Sequence, residues 1–249
     1  RRATKHVQKK RNRLAARRRF LHEPLEDRLL LAVLTADFNN LSAGDLPGQD
    51  SGDGWGAWSG SNNIDLIAGD LMAPAETNYH VNTAGTPLTV AGPSTSSRTL
   101  ATSTLDDALT ADEIWFSFVV NPQSTGNPWA RGGINLNGLR VLTVQNNLRI
   151  IGGGDLDVPG QFVAGETALV LGRLTVSDTG SDTIDVWVNP DVSLGAAGLG
   201  TADGNATRSV FDANGITSIS VESYGVNGQG IVDQQVHRPR AAAARPHVQ

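Results

Sequence analysis

A chain of 249 residues with 39% hydrophobic residues, 28 glycines and no cysteine is long enough to bury a sizeable core, and it excludes disulfide frameworks, thiolate metal sites and thiol nucleophiles. Its net charge of −5 is the sum of two opposite parts: residues 1–19 carry ten of the twenty Lys and Arg and no acid, whereas Leu29 to Val236 holds six arginines against twenty-two acids, a net −16. A body of that sign repels nucleic acid and anionic lipid, and its Asp-rich surface suits calcium or a salty exterior better.

The basic leader runs into Pro24-Leu25-Glu26-Asp27-Arg28-Leu29-Leu30-Leu31-Ala32. Its apolar run, Leu29 to Leu34, has six residues, short of the roughly 7–15 of a secretory signal core and of the about 20 that span a bilayer. Arg17-Arg18-Arg19-Phe20-Leu21 has the look of a twin-arginine signal, but Glu23, Glu26, Asp27 and Arg28 interrupt the apolar helix that should follow. A nucleic-acid arm is disfavoured, because the leader has one aromatic and leads into an acidic body. The segment resembles the LEPR-x-LL element found near the N-termini of large planctomycete surface and extracellular proteins. Leu25, Glu26, Arg28, Leu30 and Leu31 stand in register, with Asp27 where that pattern has proline. The resemblance implies a sorting element and a secreted or cell-envelope destination. The alternative is a solvated charged tail running into a first strand.

Beyond the leader the pattern is that of short strands and turns. Thr35 to Phe38 reads as a first strand, Gly44 to Gly60 as a glycine-rich loop holding Trp55 and Trp58, and Ile64 to Ile67 as a short strand. Pro74, Pro87 and Pro93 make Ala73 to Ser97 a loop with at most a strand at Leu88-Thr89-Val90. Ser97 to Leu105 is a further strand candidate, and Leu105-Asp106-Asp107-Ala108-Leu109 is the one helical turn expected in the body. The strongest strand is Ile114 to Val120, stopped by Asn121-Pro122, with Ile114, Phe116 and Phe118 on one face and Trp115, Ser117 and Val119 on the other. Strands are expected at Gly133 to Leu136, Leu139 to Val144 and Leu148 to Ile151, with Asn146-Asn147 as a hairpin turn. Ala168 to Ser177 and Thr183 to Asn189 flank the polar loop Asp178-Thr179-Gly180-Ser181-Asp182 and form a longer hairpin. Gly195 to Gly204 reads as a flexible loop and Gly215 to Tyr224 as a last strand with Ile219 and Val221 inward.

Many short strands with almost no helix mean a sandwich or barrel. Ile114 to Phe118, Gly132-Gly133-Ile134, Gly152-Gly153-Gly154 and Asp182 to Pro190 resemble the concanavalin A-like, laminin-G-like jelly-roll domains of bacterial surface proteins. That resemblance implies an all-β fold, an antiparallel jelly-roll sandwich of two curved sheets, over roughly Asp37 to Asp233. Lectins, glucanases and passive adhesion modules share such folds, so function must come from residues.

The residues do not assemble a catalytic set. Retaining hydrolysis needs two carboxyls about 5–5.5 Å apart, yet Asp112-Glu113 points its acids to opposite faces, and Asp185 and Asp155-Leu156-Asp157 do no better. His80 is the one histidine between leader and tail, so no serine triad stands out, and it reads as an ordinary loop residue. Gly152-Gly153-Gly154 opens no helix and reads as a turn. Two binding candidates remain. Trp55, Trp58 and Trp129 lie in loops where an indole face could stack on a sugar, against the alternative that they are packed. Asp178 and Asp182 could give oxygen ligands to a structural calcium, as could the loop near Asp203-Gly204-Asn205, against the alternative of a solvated acidic turn.

After Val236 the composition switches to His237-Arg238-Pro239-Arg240 and an Ala/Arg/Pro run. In the resembling jelly rolls a closing strand follows a step like Val232-Asp233, and here it reads as missing or replaced, leaving a sheet edge unpaired. The expected organisation is a basic leader over 1–34, a sandwich over 35–236 and a basic tail over 237–249. The expected function is a noncatalytic secreted or envelope module for surface attachment or carbohydrate binding. Its partner would be a polysaccharide or envelope glycan, not nucleic acid, and it would carry no transmembrane segment. A purely structural surface protein and a glycoside hydrolase are the alternatives.

Overall fold

The computed structural model describes residues 32–36, 38, 41–50, 55–60, 64–68, 71–79, 88–91, 98–109, 113–122, 131–152, 154–177, 181–208, 216–224 and 230–238. The sandwich unit spans Ala32–Pro239, a few residues wider at each end than the expected 35–236. The sorting segment, Leu25, Glu26, Arg28, Leu30 and Leu31, lies outside the described residues, as do His80, Trp129, Asp178 and the chain beyond Arg238.

Among the described residues sixteen strands follow in order: β1 (Ala32–Ala36), β2 (Gly44–Asp45), β3 (Ser59–Gly60), β4 (Asp65–Ala68), β5 (Leu88–Ala91), β6 (Arg98–Leu109), β7 (Glu113–Asn121), β8 (Arg131–Leu136), β9 (Leu139–Val144), β10 (Asn147–Ile151), β11 (Asp155–Val158), β12 (Ala168–Thr175), β13 (Asp182–Val188), β14 (Gly204–Arg208), β15 (Ile216–Tyr224) and β16 (Gly230–Arg238). They form two antiparallel sheets. The nine-stranded sheet runs β14-β13-β12-β7-β16-β5-β4-β2 with β1 beside β16, and the seven-stranded sheet runs β11-β10-β9-β8-β15-β6-β3. The fold is the antiparallel jelly-roll sandwich that the resemblance to concanavalin A-like domains implies.

Period-two alternation builds the core between the sheets. Ile114, Phe116, Phe118 and Val120 of β7 share an inner layer with Val170 and Leu174 of β12 and Ile184 and Val186 of β13. Facing them are Ile134 and Leu136 of β8, Leu139 and Val141 of β9, Leu148 and Ile150 of β10, and Ile219 and Val221 of β15. Gly172 lies opposite Phe116 in the β12–β7 register. A Cβ there would stand 2.0 Å from Phe116 Cζ, so the ring fills the space that the missing side chain leaves.

The two sides of the sandwich close differently. At one side β14 comes against β10 and β11. At the other, the chain crosses from β2 to β3 and carries two tryptophans inward. Trp58 N–H donates to Gln49 O at 2.8 Å, Gly56 N–H donates to Thr104 O at 2.8 Å, and Ser103 Oγ–H donates to Gly56 O at 2.6 Å.

Three expectations are corrected. Leu105 to Leu109 is strand and not a helical turn, because β6 runs on through Leu109 and pairs Ile216, with a register shift between Ile216 and Ser218. The closing strand is present: β16 pairs β7 and β1, with Val236 opposite Phe116 and Leu34. It therefore extends into the stretch read as a tail, and lies inside its sheet, not at an unpaired edge. Its polar composition concealed it. The turn between β9 and β10 is Gln145-Asn146, since Asn147 already pairs Val144. The loop between β8 and β9 is Asn137-Gly138, both at positive φ (47° and 101°), the pair of residues that a two-residue hairpin with matching twist favours.

Candidate functional site

Trp55 and Trp58 are core residues. They are 2% and 1% exposed, stack on each other with ring centroids 6.3 Å apart, and Trp58 packs against Phe38 at 5.6 Å. Neither indole presents a face on which a sugar could stack, so the ligand-contact expectation gives way to the packed alternative. They had to be read as loop residues because the packing that buries them comes from strands distant in sequence. Asp182 is also buried, and accepts the backbone N–H of Ser177 at 3.0 Å. Its carboxylate thereby ties the two arms of the β12–β13 hairpin. Among the described residues no three His, Cys, Asp or Glu gather where they could hold a metal ion.

The outward face of the nine-stranded sheet carries an aromatic cluster. Trp115 of β7 and Trp187 of β13 stack at 5.8 Å with 14° between the rings. Arg173 of β12, between them, places its guanidinium carbon 5.5 Å and 5.7 Å from the two centroids, a cation–π arrangement. Asp185 fixes that arginine through Oδ2, at 2.6 Å from Nη2 and 3.2 Å from Nε, and itself accepts from Asn205 Nδ2. Glu113 accepts from Trp115 Nε1 at 2.7 Å. Asp185 and Glu113, both weighed as acids for hydrolysis, thus hold an arginine and an indole. Farther along the same face Val119 and Leu169 are covered by Leu71, Ala73, Tyr79 and Val192.

The outward face of the seven-stranded sheet is built of charged and polar groups on regular strands. Register places Arg98, Tyr224 and Arg131 in one row, Leu100, Glu222, Gly133, Leu142 and Arg149 in the next, and Thr102, Ser220, Asn135 and Arg140 in the third. Glu222 is 0% exposed, although it projects on the outward side. It accepts from Arg131 Nε at 3.1 Å and from Arg140 Nε at 2.7 Å, and Arg140 Nη2 completes a two-pronged grip on the carboxylate. Gly133 makes that reach possible. It separates Glu222 from β9 without a side chain of its own, and a Cβ there would lie 2.1 Å from Val141 O.

Around the triad the hydroxyls of Thr102 and Ser220 bond at 2.8 Å. Asn137 Oδ1 accepts from Ser218 N at 3.0 Å and Ser218 Oγ at 2.9 Å. On the edge strands Arg149 pairs Asp155 at 2.6 Å and Asp157 at 3.4 Å. Asp155 and Asp157 therefore sit at a sheet edge as partners of an arginine. Sequence reading missed this face: Arg131 and Asn135 fall out of phase with Ile134 and Leu136, but Arg140 shares its phase with Leu142 and Val144, and Arg149 with Ile151, so the alternation is blurred.

No family model and no curated protein matches the chain. Solved structures are similar to it in fold. An alginate lyase, Aly36B, solved as a mutant with an alginate trisaccharide, shares 15% identity over 84% of this chain and 98% of its own, with a TM-score of 0.48. The exoplasmic/lumenal domain of VIP36 in its Ca2+/Man-bound form shares 9% over 86% and 92%, with a TM-score of 0.43. The endo-β-1,4-glucuronan lyase of the fungus Trichoderma reesei shares 10% over 79% and 92%, also at 0.43. At these identities the likeness is one of fold.

Proposed function

We propose that the sandwich is a noncatalytic carbohydrate-binding module of a secreted or cell-envelope protein, and that it meets glycan on the outward face of the seven-stranded sheet. The observation that carries this reading is a set of planar and hydroxyl groups held on rigid strands, Arg131, Arg140, Asn135, Thr102 and Ser220, around a carboxylate that two guanidiniums already hold. Fixed hydrogen-bonding groups on regular elements suit recognition of a hydroxyl-rich chain, because little ordering is left to be done on binding. The same face argues against hydrolysis, since its central acid is engaged by Arg131 and Arg140, and Asp155 and Asp157 lie on the edge strand β11. The leader's resemblance to planctomycete sorting segments supports an exported destination, and among the described residues no helix is long and apolar enough to cross a membrane.

The test is a screen of the purified full chain against polysaccharides, with calcium and with chelator, following both retention and product release. Retention without product supports the module. Release of reducing ends or of an unsaturated sugar overturns the noncatalytic assignment, and silence across the panel favours a purely structural surface protein. Loss of binding on chelation would show that binding depends on calcium. Fusing residues 1–36 to a reporter in a planctomycete host tests export, and a reporter that stays cytoplasmic overturns the localisation.

A further inference from the structure

Resting on that reading, we infer that the glycan recognised by the seven-stranded sheet is a polyuronate, a chain whose sugars carry carboxylates, and that Arg140 with Arg131 is the group that reads them. The body between Leu29 and Val236 has six arginines and a net charge of −16. Four of the six, Arg98, Arg131, Arg140 and Arg149, occupy outward positions of this one sheet by register. Over the whole sheet, these four positions stand against three paired outward acids, Glu222, Asp155 and Asp157, a local +1 in a body of −16. A protein so poor in cations that gathers most of them on one face has made that face the place where an anion can be held.

The geometry selects a carboxylate. Arg140 grips Glu222 through Nε and Nη2, one side of its planar fork, so the triad already displays guanidinium–carboxylate recognition. Among the described residues, the opposite end of the Arg140 guanidinium, the edge that includes Nη1, makes no further hydrogen bond, and the side chain keeps 16% of its surface accessible. Glu222 fixes the arginine from behind, so the second edge meets an incoming carboxylate without losing rotamer freedom at that moment. A densely sulfated chain would bring more negative charge against a body of −16 than four arginines offset. A uronan, with one carboxylate per sugar, brings its charge singly.

The experiment uses the full chain in titration calorimetry with polygalacturonate, its fully methyl-esterified counterpart, a sulfated galactan and a neutral glucan. The expected result is binding to polygalacturonate alone. Arg140→Gln combined with Glu222→Gln, which removes both charges together, should weaken binding by about 10-fold or more. Arg173→Gln, the same charge change on the other sheet, should leave it unaltered. Should the double variant fail to fold, Arg140→Lys, which keeps the charge but loses the second planar edge, gives a second reading, a loss of about 2- to 5-fold. Equal binding of the methyl ester or of the sulfated galactan overturns the inference, as does wild-type affinity in a folded double variant. If the neutral glucan binds and polygalacturonate does not, the inference falls and the carbohydrate reading stands. If nothing binds, both fall.

Discussion

Glu222→Gln tests the centre of the candidate face most directly. The carboxylate is 0% exposed and is held by Arg131 and Arg140, whose side chains are 22% and 16% exposed. Glutamine keeps the shape but removes the charge and offers one acceptor oxygen where at least three donors, Arg131 Nε, Arg140 Nε and Arg140 Nη2, now converge. Removing one partner of a fully buried ion pair costs about 3–5 kcal/mol. Here both guanidiniums retain some contact with water, so the expected loss is smaller, about 2–3 kcal/mol. For a unit of this size each kcal/mol moves the melting temperature by about 2–4 °C, giving a fall of roughly 4–12 °C. Thermal unfolding followed by tryptophan fluorescence reads it, because Trp55 and Trp58 lie in the core. Adding Arg140→Met should recover part of the loss, with a coupling of about 0.5–3 kcal/mol. A Glu222→Gln protein that melts within about 1 °C of wild type would refute the argument, since it would mean that the carboxylate is solvated and not clamped.

Gly172→Ala should destabilise by about 1–3 kcal/mol, because its Cβ would enter the Phe116 ring, and combining it with Phe116→Leu should relieve part of that cost in a double-mutant cycle. Gly138→Ala should cost about 1–2 kcal/mol in chemical denaturation, as alanine is strained at φ 101° in the β8–β9 hairpin. Asp191 should titrate below the ordinary aspartate range. The causes, largest first, are the hydrogen bond from the Ser193 hydroxyl, that from the Asn78 amide and that from the Ser193 backbone N–H. A depressed folded-state value contributes stability above the unfolded pKa that is lost as pH falls through the folded one. The link between Asn78 and the 192–194 turn should therefore loosen only at the acid end, and a carboxyl chemical-shift titration with a midpoint at or above the ordinary value would refute this.

The strand alternation of Ile114 to Val120 and Thr183 to Val188 was legible because a half-buried strand must repeat every second residue, and with many short strands and almost no helix it pointed to a sandwich or a barrel. Asn137-Gly138 carries its hairpin locally for the same kind of reason: the turn needs positive φ, and those residues tolerate it. What remained hidden depends on contacts between distant segments. Nothing local in Gly230 to Arg238 marks a strand, and β16 exists because β7 and β1 offer it partners on both sides. Trp55 and Trp58 look like exposed loop aromatics until Phe38, Leu46 and Ile64 are brought around them. Arg131, Arg140 and Glu222 are separated by as many as 91 positions, and only the register of β15 against β8, and of β8 against β9, makes them one cluster. Periodicity determines which face of a strand a residue takes. Which residues of other strands share that face is decided by pairing, and pairing is a property of the folded sheet.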